Sequence, residues 1–140
     1  AIGKFIEENA YGLIREVYEK DNFVFDLSGG AVSSRKFAEA SEKVRKTAKE
    51  NSIIIGLLPS KRVNESVKFL FKREKKREHF NNTNEKELFT KTKEDYKKFP
   101  PLFRELCDFI VYVKGKNVDE AADEIINFLI KYLIDELKIK

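Results

Sequence analysis

Eight bases crowd the segment from position 61 to 77: Lys61, Arg62, Lys68, Lys72, Arg73, Lys75, Lys76 and Arg77. Only Glu65 and Glu74 oppose them there. Such a segment sets up a local positive field that draws phosphates. The competing reading is an ordinary solvated helix face. A second chemical feature is Ser28-Gly29-Gly30, which follows the apolar run 22–27 and precedes a helical pattern. Glycine permits backbone conformations closed to other residues and lets a ligand come close. In open α/β sheets, ligands gather at the carboxyl ends of strands. A plain strand-to-helix turn fits the same residues.

Other chemistry is sparse. His79 is the only histidine and Cys107 the only cysteine. A histidine-rich zinc site and a Ser-His-Asp triad are therefore disfavoured, and an internal disulfide is excluded. Cys107, in a Leu-Cys-Asp-Phe context, reads as a small core residue rather than a nucleophile. Glu7 with Glu8, and Asp119 with Glu120, are adjacent on helices and do not face each other. Neither pair suits acid-base work.

These groups need a frame to hold them. The chain has 140 residues, 41% hydrophobic and 37% charged, with a modest net charge of +4. That suits one globular domain with a core under a Lys/Glu-rich surface. No apolar run approaches the roughly 18 residues of a membrane span, and no secretory signal is visible. A single cysteine fits a reducing cytoplasm. Methionine is absent and the chain starts at Ala1, which reads as a sequence that is N-terminally incomplete or has lost its methionines.

Helical spacing runs through residues 2–18, on Ile2, Phe5, Ile6, Leu13, Ile14 and Val17, with Gly12 as a candidate break. Residues 22–27 read as a first buried strand because Phe23, Val24, Phe25 and Leu27 are β-formers. Ser33 or Ser34 is expected to cap a helix to about residue 50. Residues 53–58 read as a second strand, ended by Pro59 and Ser60, and a helix follows over 63–76. Residues 81–84 form a polar loop tip. A helix over 86–99 is expected to stop at Pro100-Pro101. A helical turn at 102–106, a third strand at 108–113 and a last helix over 118–137 complete the chain. Strands alternating with helices predict an α/β fold, a parallel sheet with helices on both faces. The expectation is a single domain over 1–140 with a basic lid-like segment at about 68–90.

Several segments carry a further signal through their order. They are Lys-Asp-Asn-Phe-Val-Phe-Asp-Leu-Ser-Gly-Gly-Ala-Val at 20–32, Ile-Ile-Ile-Gly-Leu at 53–57 and Lys75-Lys76-Arg77. Pro-Leu-Phe-Arg-Glu-Leu-Cys-Asp-Phe-Ile-Val at 101–111 and Val-Asp-Glu-Ala-Ala-Asp-Glu-Ile-Ile at 118–126 follow. Over about residues 21–133 this order resembles the C-terminal two-thirds of a shikimate kinase. The first segment is similar to the strand before that family's Gly-Gly-Gly loop, and Lys75-Lys76-Arg77 to its Lys-x-Arg-Pro-Leu-Leu lid. The 101–111 stretch is similar to Pro-Leu-Tyr-x-x-x-Ala-Asp, and residues 1–8 resemble its Ser-Ile-x-x-Ile-Phe-Glu segment.

The resemblance implies a nucleoside-monophosphate-kinase-like sheet in strand order 2-3-1-4-5. It also implies ATP and Mg2+ at a phosphate-binding loop, with a small-molecule acceptor such as shikimate. Arg77 would be the catalytic lid arginine. Lys72 and Arg73 would bind nucleotide, and Gly29 and Gly30 would approach the acceptor. The chain also departs from the family. It holds no Gly-x-x-x-x-Gly-Lys-Ser/Thr and no Phe-Arg-x-x-Glu. The second carboxylate-binding arginine falls at Phe99, and Pro-Leu-Leu after the lid arginine is Glu78-His79-Phe80. Two other readings follow from these departures and from the charge. One is a catalytically inactive relative kept as a binding or regulatory module. The other is a nucleic-acid surface at 61–77, disfavoured by the mild overall charge.

Overall fold

Gly12 does not break the first helix. In the computed structural model of the chain, α1 runs unbroken over Ile2–Tyr18. The structure describes residues 2–77 and 84–139, without the side chains of 2–8, 10 and 139. The segment 78–83, with His79 and most of the expected loop tip, lies outside the described residues, as do the side chains of 1–8. The chain divides into two compact units, Ala1–Ile54 and Ile55–Lys140.

The first unit is helical. The short α2 (Gly29–Ser33) and the longer α3 (Ala38–Asn51) join α1. Ile14 of α1, Ala31 and Val32 of α2, and Val44 and Ala48 of α3 are buried. Polar ties fix the packing. Arg45 donates to the Val32 carbonyl at 2.7 Å. Ser52 Oγ donates to the Ala48 carbonyl at 2.6 Å, so the Tyr18 hydroxyl, 2.8 Å away, donates to Ser52. Ser34 does not cap α3 directly. Its hydroxyl accepts from Phe37 N at 3.2 Å, and the helix starts at Ala38.

The expected strand at 22–27 does not form. The segment makes no ladder with any described residue, and Val24 is fully exposed. Its unit offers only helices, and a strand requires a neighbour for its N–H and C=O groups. The Phe23 ring instead leans on Tyr18, with centroids 6.1 Å apart.

The second unit holds the sheet. Strands β1 (Ile55–Leu58) and β2 (Phe109–Tyr112) pair in parallel, with Ile55 opposite Phe109 and Leu58 opposite Tyr112. Val113 N and Lys114 N extend the pairing to the Leu58 and Pro59 carbonyls at 2.9 Å each. The expected α/β class thus holds, with a two-stranded sheet among the described residues. Between the strands come α4 (Val63–Glu74), α5 (Glu85–Tyr96) and α6 (Phe99–Leu106). After β2 comes α7 (Val118–Ile139). Pro100 and Pro101 do not end a helix running to Phe99. They sit in the first turn of α6, where no intrahelical N–H is needed.

Alternate strand residues face opposite ways. Ile110 and Tyr112 join Leu58, Val67, Tyr96 and Phe103 in one core. Phe109 stacks on Phe128 of α7, with centroids 4.3 Å apart and planes 3° from parallel. Helices therefore cover both faces of this pair. Among the described residues no helix is long and apolar enough to cross a membrane.

Two glycines make opposite demands. A Cβ on Gly56 would lie 2.8 Å from Cys107 Sγ and 2.8 Å from a Phe103 ring carbon, whereas one on Gly12 meets nothing within 4 Å. Gly56→Ala should therefore destabilise by about 1–3 kcal/mol through overpacking. Gly12→Ala should stabilise by about 0.5–1 kcal/mol, as an unstrained helix interior gains from alanine. Denaturant midpoints of the two variants read both signs, and equal shifts would contradict the packing described.

Candidate functional site

Helix α4 carries Lys68, Lys72 and Arg73, and the other bases of the segment flank it. Val67 is buried and Leu70 packs on the core, which turns Lys68, Lys72 and Lys76 outward. Lys68 and Lys72 stand four residues apart on one face of α4, and Lys76 is exposed in the turn that follows. Lys72 and Arg73 lie in the last turn, near the negative end of the helix dipole, where cations are favoured.

Ser60 organises the start of α4, just beyond the carboxyl end of β1. Its hydroxyl accepts from Arg62 N at 3.2 Å and donates to Glu65 Oε2 at 3.0 Å. Ser66 Oγ accepts from Ser60 N and donates to the Ser60 carbonyl. Lys114, just past β2, reaches Glu65 Oε2 at 3.0 Å. The carboxyl ends of both strands are thereby joined through one carboxylate. The hydrogen bond from Lys114, then that from Ser60, holds the Glu65 carboxyl below its usual 4.5. Gly115 turns the chain after β2 with a φ of +79°, in the left-handed region that glycine enters without strain. Asn117 Oδ1 then caps α7 at Glu120 N, 2.8 Å away.

At the other end of α4 a second carboxylate plays the same part. Glu74 Oε1 lies 3.6 Å from Arg73 NH2, and Glu74 Oε2 lies 3.3 Å from Arg77 NH1. The Glu74 side chain is only 16% exposed. Lys75 pairs with Glu85 at the start of α5, and Phe71 meets Phe89 edge-on at 5.3 Å. The two helices are thus tied on either side of segment 78–83.

Of the residues singled out by sequence, Lys72, Arg73 and Arg77 come together at this end of α4, in the second unit. Gly29 and Gly30 lie in the first unit, and their expected backbone freedom is not used. They open α2 with negative φ, and Ser28 Oγ accepts from Gly30 N at 3.3 Å. The helix requires ordinary φ there, so a free glycine loop gives way to a capped turn. Sequence marks Glu65 and Glu74 only as opposing acids, and it does not mark Lys114 as part of the site. Glu74 had a signal in being one of two acids among eight bases. The Lys114–Glu65 contact spans 49 positions and had none.

Tyr96 also went unnoticed. It is 3% exposed, and its hydroxyl has no hydrogen-bond partner among the described residues. Burial pushes the phenol above its ordinary value, with neighbouring Ser66 opposing the shift. The Ser66 hydroxyl is itself engaged on Ser60. Cys107 is half-buried, and burial, then Asp108, pushes its thiol up to about 11. A neutral thiol is a poor nucleophile.

No family model, curated protein or solved structure matches the chain.

Two outcomes check this geometry. Tyr96→Phe should raise stability by about 1 kcal/mol, because it deletes an unsatisfied buried hydroxyl and leaves the ring. A loss of similar size in urea unfolding would show that the hydroxyl has a partner. Cys107 should alkylate with iodoacetamide at pH 8 about tenfold or more slowly than in urea-unfolded chain. The thiol's pKa is raised from 9.0 to about 11 on folding. Its contribution to stability is therefore full below pH 9 and lost as pH rises towards 11. Equal alkylation rates would contradict the burial.

Proposed function

We propose that the chain serves an ATP-dependent small-molecule phosphotransferase similar to shikimate kinase. The terminal phosphoryl group of ATP would pass to a hydroxyl of a small acceptor such as shikimate. The observation that carries this reading is the basic helical arm inserted between two adjacent parallel strands. On this reading β1 and β2 would be the fourth and fifth strands of the order 2-3-1-4-5, which are neighbours, and the parallel pairing of β1 with β2 supports that assignment. Between them, α4 carries Lys72 and Arg73 to the position before Arg77.

Phosphoryl transfer asks mainly for positioning and positive charge. The donor set suits phosphate, since two guanidinium groups already converge on one carboxylate and phosphate offers arginine similar acceptor geometry. In this role Lys72 and Arg73 hold phosphate oxygens, and Arg77 stabilises charge on the transferring group. Mg2+ would arrive with the nucleotide, and no residue of this chain is assigned to it. The arm's bases lie on the flanks of segment 78–83, which suits a part that closes over nucleotide and excludes water.

A second reading, an inactive binding or regulatory module, is favoured by one observation. Gly29 and Gly30 are folded into α2, and residues 22–27 lack a strand partner. A nucleic-acid surface fits less well, because the overall charge is only mildly basic and Phe71 packs edge-on against Phe89.

Calorimetric titration of magnesium-ATP into protein expressed from its complete native reading frame separates the first two. Binding in the micromolar to millimolar range, weakened about tenfold by Arg77→Ala, is expected. An acceptor screen starting with shikimate follows. Absence of binding at millimolar nucleotide would sink the phosphotransferase and leave the binding module.

A further inference from the structure

We propose that Glu74 is a built-in competing anion, which occupies the Arg73–Arg77 pair until a polyphosphate displaces it. The inference rests on the reading of these arginines as phosphate contacts and names how that contact is regulated. Three observations carry it. Glu74 lies in the last turn of α4, where the helix dipole disfavours an acid. Its side chain is 16% exposed, so its charge is largely removed from water and needs partners. Among the described residues its partners are two arginines, one on each carboxylate oxygen, at 3.6 and 3.3 Å.

The carboxylate therefore marks a point where two guanidinium groups converge. Both arginines keep about half of their surface open, Arg73 58% and Arg77 49% exposed, so an incoming anion can reach them from outside. Neither has to leave its place to change partner. Lys68, Lys72 and Lys76 add a row of exposed charge on the same helix and its extension. A triphosphate carries several charges and many acceptor oxygens, and it pairs with arginine in bidentate fashion. A single carboxylate brings one charge against several and is outcompeted by it. The pair is thus shielded at rest and released by a ligand of high charge, with selectivity against monoanions.

The test uses inorganic tripolyphosphate, without nucleoside or metal, titrated into wild type, Glu74→Gln and Glu74→Gln/Arg77→Ala. Glu74→Gln should bind about three- to tenfold more tightly than wild type, and Arg77→Ala should remove that gain. Glu94→Gln, the same charge change at the exposed partner of Lys97, should change affinity less than twofold. The side-chain Nε resonances of Arg73 and Arg77 should move in Glu74→Gln before any anion is added, which reads the clamp independently of binding. An unchanged or weaker Glu74→Gln overturns the inference. So does an equal gain in Glu94→Gln, a gain that survives loss of Arg77, or no binding to any variant at millimolar tripolyphosphate. If the gain is found but magnesium-ATP transfers no phosphoryl group, the clamp stands and the phosphotransferase reading falls.

Discussion

The parallel pairing of β1 with β2 is the constraint on which the second unit depends. Parallel strands cannot be joined by a tight turn, so the chain needs a long crossover to return to the same end. Here the crossover is α4, α5 and α6, and it supplies the core that covers one face of the pair. The other face is covered after β2, where Phe128 of α7 stacks on Phe109. Gly56 is the tight point of this arrangement, because its missing side chain is the space that Phe103 and Cys107 take. The basic arm is thus an outgrowth of the crossover. Its base is fixed by the strands.

Charge on that arm is more ordered than a count of bases suggests. Arg62 and Lys114 converge on Glu65, Arg73 and Arg77 on Glu74, and Lys75 pairs with Glu85. Lys61 lies over the Tyr112 ring at 5.7 Å. Among the described residues of the segment, Lys68 and Lys72 of α4 and Lys76 just after it are exposed. Isolated surface ion pairs contribute little to stability, so the value of these contacts lies in orientation. One carboxylate joins the ends of both strands, and another holds two arginines in register.

How much of this was legible depends on the range of the forces involved. Helices α4 and α7 were readable because their apolar residues repeat at helical spacing, and strands β1 and β2 because they are short unbroken apolar runs closed by turn residues. The cluster of Lys72, Arg73 and Arg77 was readable because its members are near in sequence. Proline placement was half readable: Pro100 and Pro101 mark a boundary, but the same rigid rings suit the start of a helix as well as the end of one. The Lys114–Glu65 tie and the burial of the Tyr96 hydroxyl arise only once β1 and β2 align, and no local pattern encodes that register.

The segment 22–27 shows the same limit from the opposite side. Its β-formers made it the clearest strand by local propensity, yet strand propensity measures how side chains pack on a sheet already present. Phe23 leans on Tyr18 of α1, while Val24 stays in solvent and Phe25 is 41% exposed. The glycines that follow lose their reason to be unusual once the strand is gone, and Ser28 caps them into α2. One absent pairing therefore accounts for both discrepancies in this region. The two sites read from sequence fare differently because the bases of α4 need only a helix, whereas a glycine loop at a strand end needs the sheet.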